Sequence, residues 1–219
     1  YNVDRRSGPW NYLPHLPTTL TSLSIDINKE VEFEKADYYL RLLPLQSLHL
    51  QDTPSGVVSQ ILHDHPDLTI FQSNANLPAQ MMVPEVLQLT KLTQLHLRMI
   101  EPHSVSALFN LPHLEQCLFT AKPNVSIVCD ADVDNAALLQ LHIRAPLLGE
   151  PKWPRFANIT HFSLQQLDWC QMPGLLAALR GWTTLQSLYI GFIPDQPQNG
   201  NEIADMLAET LCPLRSLQV

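Results

Sequence analysis

The sequence predicts an α/β solenoid. About nine irregular repeats would stack their strands into a parallel sheet on a concave inner face, with short helices or loops on the convex outside. Three observations carry this expectation. A phrase of an apolar residue, two free positions, an apolar residue, one free position and an apolar residue recurs nine times along the 219 residues. The first residues of successive phrases lie 25, 23, 24, 22, 24, 21, 26 and 29 positions apart, and self-similarity at a period in the twenties marks a repeat architecture. The stretches between phrases carry helical patterns, and strands alternating with helices build a two-layer parallel arrangement.

The phrases run in order as Leu20–Leu23–Ile25, Leu45–Leu48–Leu50, Leu68–Phe71–Ser73, Leu92–Leu95–Leu97, Leu114–Cys117–Phe119, Leu138–Leu141–Ile143, Ile159–Phe162–Leu164, Leu185–Leu188–Ile190 and Leu214–Leu217–Val219. Only the third lacks its last apolar residue. Alternation at period two is the pattern of a half-buried strand. Nine such strands, about 4.8 Å apart, would make a sheet roughly 40 Å long. Between them, Glu34–Leu43, Ser55–His63, Pro102–Phe109, Met172–Arg180 and Asn201–Leu211 read as short helices. Asn201 suits an N-cap ahead of Ile203, Met206, Leu207 and Leu211 on one face. Pro44 and Pro66 follow two of these helices, and Pro102 and Pro173 suit first turns. Lys122–Cys129 and Gly149–Ala157 contain proline and are expected to be irregular.

Composition narrows the function. The chain holds 21 acidic and 13 basic residues for a net charge of −8, which argues against nucleic acid as a partner, since phosphate binding needs Lys and Arg. No apolar run approaches the roughly 18 residues that span a bilayer, and no polybasic run suits an anionic membrane. The four cysteines (Cys117, Cys129, Cys170, Cys212) show no close pairing and are expected to be reduced, buried or partly buried thiols. That usage favours an intracellular compartment, cytoplasmic or nuclear. Two glycosylation triplets, Asn124-Val-Ser and Asn158-Ile-Thr, point instead to a secreted protein, although Asn158 lies directly before a core strand. Residues 1–219 are expected to form a single repeat domain. Val219 closes the ninth phrase with no capping unit, so the expectation is a piece of a longer protein.

The phrases Leu45-Gln-Ser-Leu-His-Leu, Leu92-Thr-Gln-Leu-His-Leu and Leu185-Gln-Ser-Leu-Tyr-Ile resemble leucine-rich repeats, and the resemblance covers essentially the whole chain. The unequal, helix-bearing units are most similar to F-box leucine-rich-repeat proteins and ribonuclease-inhibitor-like arrays. That resemblance implies a horseshoe whose concave face or rim holds a protein partner. It also implies contact with a ubiquitin-ligase adaptor through segments outside this sequence. Members usually place Asn or Cys three positions after the strand phrase. This chain has Asn28 and Asn76 there, but Thr53, Ile100, Lys122, Pro146, Leu167 and Ile193 in other repeats.

The alternation also names the residues that line the inner face. Its candidate protein-binding side chains are His49, Gln72, Gln94, His96, Arg98, Gln116, Leu118, Gln140, His142, Arg144, His161 and Tyr189. Among all outward positions only Asp26, Arg98 and Arg144 are charged at neutral pH. The face is therefore +1 in a chain of −8. Arg and Tyr are frequent interface anchors. Arg98 and Arg144 flank Leu118, with His96 and His142 beside them. Histidines here could make binding respond to pH. Metal chelation by His96 and His142 is not expected, because two strand spacings are about 10 Å and a shared ion needs bonds of about 2.1 Å.

Other constellations read as structural. Asp130, Asp132 and Asp134 alternate like a calcium loop, but Asn135 and Leu141 stand where that loop needs Gly and Glu; an acidic outer loop is expected. His63-Asp64-His65 is expected to be a solvated helix end. No nucleophile elbow, phosphate loop or dinucleotide turn occurs, so no enzyme activity, cofactor or metal is expected. The readings that remain are a substrate-recognition arm of a ubiquitin ligase, a sensor arm of an innate immune receptor, an extracellular adhesion module and a scaffold.

Overall fold

The computed structural model describes residues 15–26, 38–51, 53–77, 79–99, 103–121, 125–129, 134–192, 207 and 215–218. The strands, in chain order, are β1 (Ser22–Asp26), β2 (Ser47–Gln51), β3 (Ile70–Leu77), β4 (Gln94–Met99), β5 (His103–Ser104), β6 (Gln116–Ala121), β7 (Ile127–Val128), β8 (Asp134–Asn135), β9 (Gln140–Arg144), β10 (Arg155–Phe156), β11 (His161–Leu167), β12 (Ser187–Phe192) and β13 (Ser216–Gln218). The helices are α1 (Ser55–Asp64), α2 (Ala79–Val86) and α3 (Met172–Leu179). The main sheet is open and nine-stranded, in the order β1-β2-β3-β4-β6-β9-β11-β12-β13. Its pairings are all parallel. Each strand lies beside the next main-sheet strand in the chain, so the sheet grows without crossing over itself.

The recurring phrase sets the register. Leu23, Leu48, Phe71, Leu95, Cys117, Leu141, Phe162, Leu188 and Leu217 sit opposite one another along the whole sheet. In the first eight phrases every position is buried except Leu20, which packs partly buried against the core. Ser73, the one polar residue among them, is buried as well. A slip of one residue would turn this whole set outward.

One hydrogen-bond arrangement marks where the strands begin. Thr21 O accepts from the amides of both Gln46 and Ser47, and Gln46 O from Thr69 and Ile70. The same double acceptance passes through Thr69, Thr93, Glu115, Leu139, Thr160 and Gln186 to the amides of Arg215 and Ser216. Hydroxyls reinforce it where the position is threonine: Thr69 Oγ1 donates to Gln46 O at 3.0 Å and Thr93 Oγ1 to Thr69 O at 3.0 Å.

Outside the sheet, α1 forms as expected, buries Val57, Val58, Ile61 and Leu62, and stops at Pro66, whose ring disfavours helix in the residue before it. The expected helix over Met172–Arg180 ends at Leu179, with Pro173 in its first turn. Residues 38–41 are helical within the expected Glu34–Leu43. Helix α2 has no counterpart in the sequence reading, and it accommodates Pro84 in its interior.

The expectation of a helix over Pro102–Phe109 is corrected. Only a 3-10 turn forms, at Ser106–Asn110. β5 before it instead pairs with β7, and Val105 N donates to Val128 O. The supposedly irregular Lys122–Cys129 and Gly149–Ala157 therefore contain order: β5 pairs with β7, and β8 with β10. The expected helix over Asn201–Leu211 lies outside the described residues apart from Leu207, which is buried. Asn28, Asn124, Cys212 and Val219 lie outside them too, as do Asp130 and Asp132.

Buried polar side chains tie these outer segments to the backbone. Asn135 Oδ1 accepts from the amides of Ala137 (2.7 Å) and Leu138 (2.9 Å), and its Nδ2 donates to Phe109 O. Gln171 Nε2 donates to Leu147 O at 3.1 Å and Gly149 O at 2.6 Å. Edge-to-face ring pairs knit the same region. Phe109 meets Phe119 and Phe156, and Trp182 meets Phe162 at 5.0 Å between centroids.

Two corrections concern exposure. His65 is buried rather than solvated, and Asp64 pairs with Arg41 at 2.9 Å. Cys117 and Cys129 are buried, whereas Cys170 is exposed. Burial pushes the Cys117 thiol far above its ordinary pKa.

Leu95→Ala should cost about 2–5 kcal/mol in denaturant unfolding; a loss below about 0.5 kcal/mol would mean that Leu95 is not in a packed core. Asn135→Ala leaves two amides and a carbonyl without partners and should cost about 1–3 kcal/mol. An unchanged midpoint would show that water replaces the asparagine without loss.

Candidate functional site

Because every second residue of a strand faces away from the core, the twelve candidate side chains fall on the sheet face opposite the helices. They occupy three rows across the strands. Gln94, Gln116, Gln140 and His161 stand in the first, and His49, Gln72, His96, Leu118, His142 and Tyr189 in the second. The third row holds Arg98 and Arg144, each paired in register with Thr120. Seven of the twelve meet at one place. Gln72, Gln94, His96, Gln116, Leu118, Gln140 and His142 line a shallow depression of about 200 Å³ in the middle of the sheet. His49 stands to one side of it, His161 and Tyr189 to the other.

These side chains differ in how far the protein already uses them. His49 is engaged on both nitrogens. Asn74 Nδ2 donates to its Nε2 at 3.3 Å, which leaves the proton on Nδ1 to face Ser24 Oγ at 3.4 Å. It thus bridges β1, β2 and β3. His161 Nδ1 donates to Thr160 Oγ1 at 2.9 Å, and that hydroxyl donates onward to Leu139 O. His96 is different: its Nε2 is shielded from water and has no hydrogen-bond partner among the described residues. Arg98 and Arg144 form no ion pair among the described residues. Tyr189 is 36% exposed, and its ring leans toward Gly191, whose missing side chain leaves it room.

Three histidines of the middle row are held below the ordinary imidazole pKa. For His49 the cause is burial. For His96 burial leads, followed by the charges of His49 and Arg144. For His142 burial leads, followed by Arg144 and His161. The neutral forms therefore predominate near neutrality, and the arginines carry the positive charge.

A larger cavity lies on the other side of the sheet, and the sequence reading singled out none of its lining. It has a volume of about 660 Å³, between β8, β10 and α3, and is walled by Trp153, Phe156 and Trp182. Gly174, Ala177, Ala178 and Gly181 form its helical wall; their i, i+3, i+4, i+7 spacing was the signal available in the sequence. No cluster of three or more metal-ligating side chains occurs among the described residues, and no helix among them is long and apolar enough to cross a membrane. Comparisons with protein-family models, curated proteins and solved structures return no match.

The lowered histidine pKa values give a sign for stability. The unfolded chain takes up protons below about pH 6.5 more readily than the folded one. This contribution is fully present above that pH and is lost as pH falls toward the folded values. The melting temperature should therefore drop on acidification from neutrality. His96→Asn with His142→Asn should make the drop smaller; an unchanged pH profile would show that these two rings do not carry it.

Proposed function

We propose that this chain is a leucine-rich-repeat solenoid that recognises a protein partner on the open face of its sheet. The observation that carries the reading is a pair of arginines, Arg98 and Arg144, that form no ion pair among the described residues and flank the strand that brings Leu118 into the depression. Arginine and tyrosine at a polar face with one central apolar residue, Leu118, suit an interface with a few anchors and a wet surround. The finer proposal, supported by the resemblance of the repeated phrases, is that the chain presents substrates to a ubiquitin ligase through parts of the protein outside these residues.

Affinity capture of the full-length protein from its native extract tests both levels. Recovery of ubiquitin-ligase adaptors would support the substrate-receptor reading. Partners without adaptors would redirect it toward a sensor or a scaffold. In either case Arg98→Ala with Arg144→Ala should weaken capture about tenfold or more and leave the melting transition unchanged. Undiminished binding of every partner would overturn the arginine anchors.

A further inference from the structure

We propose that the open face selects an acidic peptide segment, laid across β4, β6 and β9, with carboxylates at Arg98 and Arg144 and an apolar side chain on Leu118. This inference rests on the reading of the face as a protein-binding surface and names the chemistry it takes.

The charges on the face have one sign where the depression lies. Among its described residues Asp26 is the sole carboxylate, and it stands on β1, three strands from β4. Every other ionisable side chain on it except Tyr189 (Arg98, Arg144, His49, His96, His142, His161) is cationic or becomes so by taking up a proton. The rest of the chain is acidic, with a net charge of −8, but its field fades within a Debye length of about 8 Å in physiological salt. A ligand in contact with the sheet therefore meets the arginines first. A basic segment would set cation against cation and leave the arginine N–H groups unmet; a carboxylate offers acceptors only, which is what these donors lack.

Spacing sharpens the match. Arg98 and Arg144 both pair with Thr120, so their Cα atoms stand two strand spacings apart, about 9.6 Å. A polyproline-II segment has three residues per turn and rises about 9.3 Å per turn, which brings residues i and i+3 to one side at that separation. Acidic residues three apart, with an apolar residue between them, would meet both arginines and Leu118 together.

Binding should also take up protons. His96 stands in register between Gln72 on β3 and Leu118 on β6, in one row with His49 on β2 and His142 on β9, with Arg98 on its own strand and the Arg144 charge acting on it from β9. None of these is an anion. Burial and neighbouring cations hold His96 and His142 below the ordinary imidazole pKa in the free protein. A bound carboxylate reverses that local field and favours the imidazolium, so affinity rises as pH falls through the histidine range.

The test is selection from a random peptide-display library on the intact chain, with Arg98→Ala/Arg144→Ala and Leu118→Arg variants of unchanged melting temperature alongside. The expected result is enrichment of Asp and Glu at a spacing of three. Affinity of a selected peptide should fall about tenfold or more in the double-arginine variant. It should also fall about threefold or more between mildly acidic and mildly alkaline pH. Selected peptides with no acidic excess, lost in Leu118→Arg but kept in the arginine variant, would overturn the acidic occupant and leave the binding face standing. Failure to select any peptide that depends on Leu118, Arg98 or Arg144 would overturn the binding face together with this inference.

Discussion

At the start of each strand, one carbonyl oxygen accepts two backbone amides from the unit that follows, and the arrangement runs from Thr21 to Ser216. It pins each strand to the last at the same point of the phrase. Once that point is set, the parallel ladder dictates which residues face each other. The pleat then sends alternate side chains to opposite sides. Slippage at one junction would expose the inner apolar residues of a strand and bury its polar ones. The packing of the helices, the order of the outer segments and the composition of the open face all depend on this register.

The core solves the same problem differently along its length. Toward the first strands the outer layer is helical, with α1 placing Val57, Val58, Ile61 and Leu62 against the sheet. In the middle, between β4 and β11, no α-helix occurs among the described residues. There, short parallel pairs and buried amides take over the pairing of backbone groups. Asn135 and Gln171 each satisfy two or three main-chain partners, which pairs backbone groups that a regular helix would otherwise pair. The large rings fill the volume that a helix would otherwise occupy. In β11 a bulge serves the same end: an extra residue between Leu164 and Leu167, with Gln166 at a φ of 65°, returns Leu167 to the interior.

The open face carries what the core cannot hold. Its side chains are polar because they are wet, but they are not equivalent. His49 and His161 are tied into the sheet by hydrogen bonds, whereas Arg98, Arg144 and the Nε2 of His96 are left without protein partners among the described residues. That asymmetry separates residues that brace the surface from residues that the described structure does not tie down. Most of the positive charge of the face is gathered within the span of β4 to β9, on a molecule otherwise dominated by acidic residues.

Much of this was legible in the order of residues. The period-two alternation within each phrase placed the strands, their inner residues and the twelve outward candidates, because the geometry of a strand leaves no freedom in which side a residue faces. What the sequence could not determine was how each connection between strands would satisfy its backbone. Helix α2 forms around Pro84 where no helix was expected, and Pro102–Phe109 reads as a helix yet yields a strand pair and a 3-10 turn. His65 reads as solvated yet is buried. Partners distant in sequence decided these outcomes: Val128 for Val105, and Phe109 for Asn135. The same holds at the open face, where pattern alone named His49 and His96 as equals. Only the tertiary structure, by bringing Ser24 and Asn74 to His49 and no hydrogen-bond partner to the Nε2 of His96 among the described residues, made one ring a brace across three strands and left the other nitrogen sheltered and unpaired.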